Sequence, residues 1–446
     1  MSGKVSKTTL AIYGATALPL ALVGYPIAIW LPAFYASHIG LSLASVATML
    51  LLAKITDVVT DPLVGMVSDR LKTRIGRRRP VIIVGTPILI VSIWYLFVPP
   101  EHVSQWYLLI CIAGMYIGTT LVGVPYGAWG AELSRDYHER SRISAWREQF
   151  TLIGLLVAAF IPFIIEQYIQ PEDEISTIMK GMALAIAISA PITVALLCIF
   201  VKEHPGEKPG HVSISFSDSV KRIWANVPMR LMVGLILIVV MAEAFRNALS
   251  LFFIRGVIEA GAVGTIYFGY FVAGLIAVPF WLWLGNRIGK HIALSIVLIT
   301  VAVISVINMA FDANDYTMFL IFFIAKGACF GGLQFLPIAI LADVIDIETA
   351  ETGEQRAGAY IAFASMTSKI STALGTFLAI RALSLTNFDA VALADNAPED
   401  LFALRVLYAI VPAFFFLFAI LIAWWFPLTA EKHAELQTKI TARNET

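Results

Sequence analysis

The segment LLLAKITDVVTDPLVGM, from Leu50 to Met66, places two aspartates inside an otherwise apolar stretch. Asp57 and Asp61 are four residues apart, so a helix presents both on one face. Lys54, three residues before Asp57, shares that face. Burying a carboxylate at bilayer depth costs a few kcal/mol or more, so such acids mark function by default. Pro62 has no N–H and leaves the carbonyl of Val58 without its helical donor. Two carboxylates, that carbonyl and the Thr60 hydroxyl form a set of hard oxygen ligands suited to a small cation. Asp57 and Asp61 are thus the candidate ligands of a metal ion, Na⁺, or the carriers of a proton. The competing reading is a self-neutralised Lys54–Asp57 pair that only helps helices pack, and it does not account for Asp61.

Composition says what must surround these acids. The 446 residues are 59% hydrophobic and 14% charged, with a mean hydropathy of +0.81. That is the balance of an all-α integral membrane protein. The 31 Lys and Arg match 31 Asp and Glu, so no basic excess points to nucleic acid. Cys111, Cys198 and Cys329 lie in apolar stretches and read as small core residues. The seven histidines show no pair at metal spacing, and no glycine-rich phosphate loop appears. No cofactor, no enzyme activity and no ATP-driven step is expected. Met1 to Lys7 is short and polar, and the apolar run behind it is too long for a cleavable signal.

Twelve apolar stretches approach the roughly 20 residues that cross a bilayer. They lie near 9–36, 42–68, 80–98, 104–133, 144–166, 181–201, 227–255, 261–284, 291–311, 316–342, 357–384 and 402–426. Basic residues gather in alternate loops, as in Arg70, Lys72, Arg74, Arg77, Arg78 and Arg79 after the second stretch. The opposite loops are acidic, with Glu172, Asp173 and Glu174, and later Asp389, Asp395, Glu399 and Asp400. The positive-inside rule puts both termini in the cytoplasm of a cell (inner) membrane protein, and the even number of spans agrees. Residues 202–226, rich in Pro, Gly, Ser and charge, read as a cytoplasmic linker with a short surface helix. It separates an N-terminal six-helix bundle, 1–201, from a C-terminal bundle with its tail, 227–446. The halves echo each other. VPYGAWGAEL from Val124 parallels LPIAILADV from Leu336, each with an acid six or seven residues after its Pro. GMVSDRLKTRIGRR is echoed by LGNRIGKH after the eighth stretch. Repeated halves are how many alternating-access transporters are built.

These motifs identify a family. The chain resembles the major facilitator superfamily and, within it, the melibiose-permease-like glycoside–pentoside–hexuronide:cation symporters. The resemblance rests on Asp57-Val-Val-Thr60-Asp61-Pro62-Leu-Val-Gly65, Asp69-Arg70, and Gly76-Arg77-Arg78-Arg79-Pro80. VPY at 124–126, Glu139-Arg140 with Arg147, and ADVIDIETAETGEQRAG from Ala342 support it across nearly the whole length. It implies two pseudo-symmetric six-helix bundles. It also implies symport of a small organic solute with Na⁺ or H⁺, through a cation site of Asp57, Thr60, Asp61 and, on the fourth helix, Thr120. A uniporter or a proton-coupled antiporter of the same fold is the alternative. Members of the superfamily are usually monomers, which is the expectation here.

The sugar carriers grip hydroxyls with acids on the first and fourth helices. Here those positions align with Ala21 and Gly123, and an expected aromatic with Gly127. Arg147 and Lys369 match the family's pocket arginine and its intramembrane lysine, and both favour an anionic group. The substrate is therefore either a sugar or glycoside, or an anionic or amphipathic solute, with Tyr25 and Trp146 as rings for stacking or for core packing. Pro19, Pro26 and Pro32 should kink the first helix. Asp69, Arg70, Glu132, Arg140, Asp343 and Arg356 are expected to form a charge network at the cytoplasmic helix ends, made and broken as the carrier rocks. Glu243 and Arg246, three apart, are expected to pair. Lys326 either faces a cavity or pairs with an acid such as Glu243.

Overall fold

The computed structural model describes residues 4–71, 73–134, 136–203, 226–352 and 357–425. Most of the 202–226 linker, Arg356 and the C-terminal tail lie outside them. Twelve long helices run through the described residues: α1 (Lys7–Ile29), α2 (Leu43–Arg70), α3 (Arg79–Phe97), α4 (Gln105–Glu132), α5 (Tyr137–Ile164), α6 (Glu174–Phe200), α7 (Val227–Gly256), α8 (Val263–Ile288), α9 (Lys290–Ile307), α10 (Tyr316–Thr352), α11 (Ala357–Leu383) and α12 (Pro398–Trp424). Eleven segments are long and apolar enough to cross a membrane. The remaining helix, α11, is 27 residues long and carries Thr367, Ser368, Lys369, Ser371 and Thr372 near its middle.

Helix starts follow local chemistry. Side chains of Ser42, Ser104, Asp136, Asp173 and Asn226 accept from backbone N–H groups of the first turns of α2, α4, α5, α6 and α7. Asp136 and Asp173 begin α5 and α6 at 137 and 174, several residues ahead of the starts at 144 and 181 expected from hydropathy. A cap stabilises a polar first turn that apolar content alone does not reveal. The first helix is broken at Thr16 and Trp30 and ends in a π-turn, Phe34–His38. The breaks fall three residues before Pro19 and two before Pro32, where the missing prolyl N–H groups leave carbonyls unbonded.

The chain divides into two compact units. The first comprises Met1–Pro209, Gly261–Phe268 and Ile380–Asn396; the second comprises Gly210–Ala260, Gly269–Ala379 and Ala397–Thr446. In the first, α3 packs on α4 and α6, α2 on α4, and α1 on α5. Leu10, Tyr13, Ile82, Val122, Trp129, Ile143 and Leu197 meet in its core. In the second, α9 packs on α10 and α12, and α7 on α12, around Met232, Val297, Leu333 and Phe416. The α9 contacts repeat those of α3. The repeat reaches the backbone: Gly76 and Gly289, each closing an Arg-Ile-Gly sequence, hold φ of +115° and +99° just before α3 and α9. A side chain there would strain the turn, so both echoes keep glycine.

Close helix approach inside the first unit depends on small residues. A Cβ added to Gly118 would stand 2.6 Å from the Leu89 backbone, whereas one on Gly24 meets nothing within 4 Å. Gly118→Val is expected to cost about 1–3 kcal/mol through overpacking. Thermal unfolding of the purified protein should show a clear fall in Tm, with Gly24→Ala unchanged or slightly raised. An unshifted Gly118→Val would mean that α3 and α4 are not pressed together there.

Candidate functional site

The acid pair sits where α2 crosses α4. Asp57 is 3% exposed, and its Oδ2 lies 2.8 Å from Lys54 Nζ. The ammonium also lies 4.2 Å from the centre of the Tyr116 ring, on α4. The Thr120 hydroxyl, also from α4, stands between the acids: Oγ1 is 2.9 Å from Asp61 Oδ1 and 3.2 Å from Asp57 Oδ1. Thr60 Oγ1 is 3.5 Å from Thr120 Oγ1 and donates to the Asp57 carbonyl at 3.3 Å. Thr120 has one proton to give and two carboxylate oxygens within its reach. The Thr120 hydroxyl and two carboxylate oxygens therefore converge at one point, which offers hard oxygen ligands to a small cation or a shared site to a proton. Lys54 pairs with Asp57 alone among the two acids in its ion pair, while Thr120 reaches both.

The structure brings Asp57, Thr60, Asp61 and Thr120 together, as the sequence suggested. It treats the other expected residues unevenly. Arg147, on α5, holds its neighbour Glu148 at 2.9 Å, with both side chains partly open. Tyr25 is buried, its ring edge-on to Tyr267 at 5.8 Å. Trp146 stacks on Phe150 at 6.4 Å beside the first core. These rings pack. Lys369 is half-buried on α11. Glu243 and Arg246 pair at 2.8 Å. Lys326, 2% exposed, donates to Ser305 Oγ of α9 at 3.1 Å, which is the partner that helical spacing on α10 could not reveal.

The basic ends hold a different network from the one expected. Arg78 bridges α2 and α4: Nη1 donates to Ser68 Oγ at 2.8 Å, and Nη2 reaches Asp69 at 2.6 Å and Glu132 at 2.7 Å. Arg77 adds a second contact to Glu132 at 2.9 Å. Burial works against the Arg78 charge, but Glu132 and Asp69 outweigh it and hold the guanidinium pKa above its ordinary value. In the second unit, Lys290 at the start of α9 holds Asp343 of α10 at 2.7 Å. The two clips are equivalents: a base following the positive-φ glycine meets the acid that follows the helix proline. Arg70 forms no ion pair among the described residues, and Arg140 donates to the Ser134 carbonyl at 2.8 Å. Both lie on exposed surface, where long side chains are drawn to water. Arg77, Arg78 and Lys290 were the residues that sequence reasoning passed over, and the repeated Arg-Ile-Gly was the signal that pointed to them. Arg356 lies outside the described residues.

The model of the MFS/sugar transport protein family matches residues 12–430. The chain is 25% identical over 448 residues to the glucuronide carrier protein homolog of Escherichia coli (strain K12), covering 94% of this chain and 92% of that one. It is 23% identical over 468 residues to sodium-dependent lysophosphatidylcholine symporter 1 of Gallus gallus, covering 96% and 88%. Among solved structures, one from work on proton-dependent oligopeptide transporters superposes with a TM-score of 0.66 at 13% identity, covering 97% of this chain and 100% of that one. At that identity the likeness is one of fold.

The Arg78 clip is testable by itself. Lysine keeps the charge but cannot reach Ser68, Asp69 and Glu132 at once. Arg78→Lys should therefore lower Tm, losing about 1–3 kcal/mol. Asp69→Asn should change little, because Asp69 is 60% exposed and screened. Equal effects of the two substitutions would contradict the bridging geometry.

Proposed function

We propose, for a chain that belongs to the MFS/sugar transport protein family, cation-coupled symport of an organic solute through the Asp57–Thr120–Asp61 site. The chain is a multi-pass membrane transporter of the major facilitator fold, not an enzyme. The observation that carries the coupling is the convergence of two carboxylate oxygens on one hydroxyl proton, at 2.9 and 3.2 Å. A Na⁺ or a proton at that point neutralises charge at the contact between α2 and α4, and the solute and the cation then raise each other's affinity by the same factor. The basic loops orient the protein with the Arg78 and Lys290 clips in the cytoplasm.

The solute class follows from what the site lacks and what it keeps. Ala21 lies against Gly154, where an added Cβ would already be 2.8 Å from it. Neither Ala21 nor Gly123 carries a side-chain acceptor. Sugar hydroxyls would go unmatched at both positions. Arg147 remains, exposed enough to exchange Glu148 for a ligand anion. The relatives named for glucuronides and for lysophosphatidylcholine both concern solutes with an anionic group, one sugar-derived and one amphipathic. A solute that carries an anionic group, of either kind, fits Arg147 better than a neutral sugar.

Thermal-shift titrations of the purified protein, with a glucuronide and with a lysophosphatidylcholine as probes, test this reading. Stabilisation by one of them should be enhanced by Na⁺ or by lower pH, and Asp61→Asn should abolish the enhancement. Thr120→Val should weaken apparent cation affinity about tenfold, with Thr120→Ser near the wild type. Enhancement that survives Asp61→Asn unchanged removes the acid pair from coupling. Arg147→Ala should weaken the anionic probe about tenfold or more; an unchanged affinity places the anion elsewhere.

A further inference from the structure

Arg147 does not stand alone on α5. Its Nη2 and Nε both donate to one oxygen, Glu148 Oε1, at 2.9 and 3.3 Å. Consecutive residues of a helix point about 100° apart and do not normally face each other. Glu148 therefore reaches sideways along the helix surface, and it pairs with no other base among the described residues. The two side chains are 38% and 42% exposed. Arg147 lies about 15 Å along α5 from its start at Tyr137. An open pair of charges at that depth faces water, because lipid solvates neither of them.

The pair is built to exchange. Both bonds fall on a single carboxylate oxygen, whereas a guanidinium holds a carboxylate or a phosphate best through two. An ion pair this open contributes little to stability, so parting it costs little. The surroundings supply no rival donor. Tyr13 of α1 and Tyr126 of α4 lie within electrostatic reach of Arg147. Their rings stack at 4.6 Å, and each hydroxyl donates to the other residue's backbone carbonyl, at 3.4 and 3.0 Å. Their hydrogens are spent on each other, which leaves the guanidinium to meet a solute's anion.

An anion that takes Arg147 displaces Glu148. The displaced carboxylate then stands beside the incoming charge, and like charges so close repel in a partly desolvated site. A solute with only an anionic group gains the guanidinium and acquires a repelling neighbour. A solute with a cationic group next to its anionic one meets the opposite charge at both places.

We propose that Glu148 is a specificity-determining residue and that the solute is a zwitterion: Arg147 binds its anionic group, and the released Glu148 binds the cationic group beside it. The proposal rests on the reading above that Arg147 receives the solute's anion, and it narrows that solute to one carrying its own counter-charge. One ion pair is replaced by two, and no net charge is brought to the site.

Thermal-shift titrations of the purified full-length protein with two lysolipids of the same acyl chain test this. Lysophosphatidylcholine carries a phosphate and a quaternary ammonium; lysophosphatidylglycerol carries the phosphate without a cation. The wild type should bind the first more tightly. Glu148→Gln keeps the size and polarity of the side chain and removes its charge. It should weaken lysophosphatidylcholine and tighten lysophosphatidylglycerol, each about tenfold, so that the preference reverses. Glu148→Asp, which keeps the charge, should keep the wild-type preference. A substitution that merely loosened α5 would move both affinities the same way, so the opposite signs distinguish recognition from packing. Effects of equal sign, or a wild type that prefers lysophosphatidylglycerol or is stabilised by neither lipid, overturn the proposal.

Glycerophosphocholine, the same head without an acyl chain, separates the sources of such a head. Weakening by Glu148→Gln that extends to it supports a soluble zwitterion, and weakening confined to the lysolipid supports an amphipathic one. Arg147→Ala separates this proposal from the reading beneath it. If both lysolipids bind that variant as they bind the wild type, the anion lies elsewhere and the site itself is lost. If both weaken there while Glu148→Gln moves them together, Arg147 keeps its place and the zwitterion falls.

Discussion

A charge placed at bilayer depth must be answered from within the protein, and this constraint organises the chain. Asp57 is buried and Asp61 half-buried in an apolar helix, so each calls for a partner or a bound cation. Lys54 and Thr120 answer in part. They do so unequally: an ammonium bonds one oxygen of Asp57, while one hydroxyl proton is divided between the remaining oxygen and Asp61. The group thereby ties α2 to α4 through a hydroxyl within reach of both acids.

The same constraint shapes the basic ends. Glu132, the last residue of α4, and Asp343, inside α10, bind bases at the starts of α3 and α9. The two clips derive from one repeated design: a turn that only glycine enters easily, a base directly after it, and an acid on the adjacent helix. The two turns share a positive-φ glycine but differ in the base, because positive φ is a steric demand whereas Arg78 and Lys290 both supply charge.

Glycine plays a second part where helices must nearly touch. At Gly118 the neighbour is a backbone on α3, and at Gly264 it is the end of α5. In a bilayer, lipid competes for apolar surface, so small residues and hydrogen bonds decide which helices associate. The first contact is made by apolar side chains; beside the second, the Glu166 carboxylate accepts from the Gly264 and Thr265 N–H groups at 2.6 and 3.0 Å.

Sequence pattern alone carried the membrane class, the repeat between halves and the choice of the acid pair as candidates, and eleven of the twelve helices among the described residues are long and apolar enough to be the expected spans. Hydropathy over twenty residues, helical spacing and glycine-bounded motifs are local properties, and they survive without tertiary information. Asp57 and Asp61 were legible because two acids stand in one apolar helix and Lys54, the one local base, answers only Asp57. Tertiary structure added the meetings across helices: the Thr120 hydroxyl, which the family resemblance had implied, set between the two acids, Ser305 against Lys326, Arg78 and Lys290 in place of Arg70 and Arg140, and the α8 backbone against Glu166. Those partners lie on other helices, tens of residues away or more. A one-dimensional pattern carries the period of its own helix but not the angle at which a neighbour crosses it, and that angle alone chooses which side chains meet.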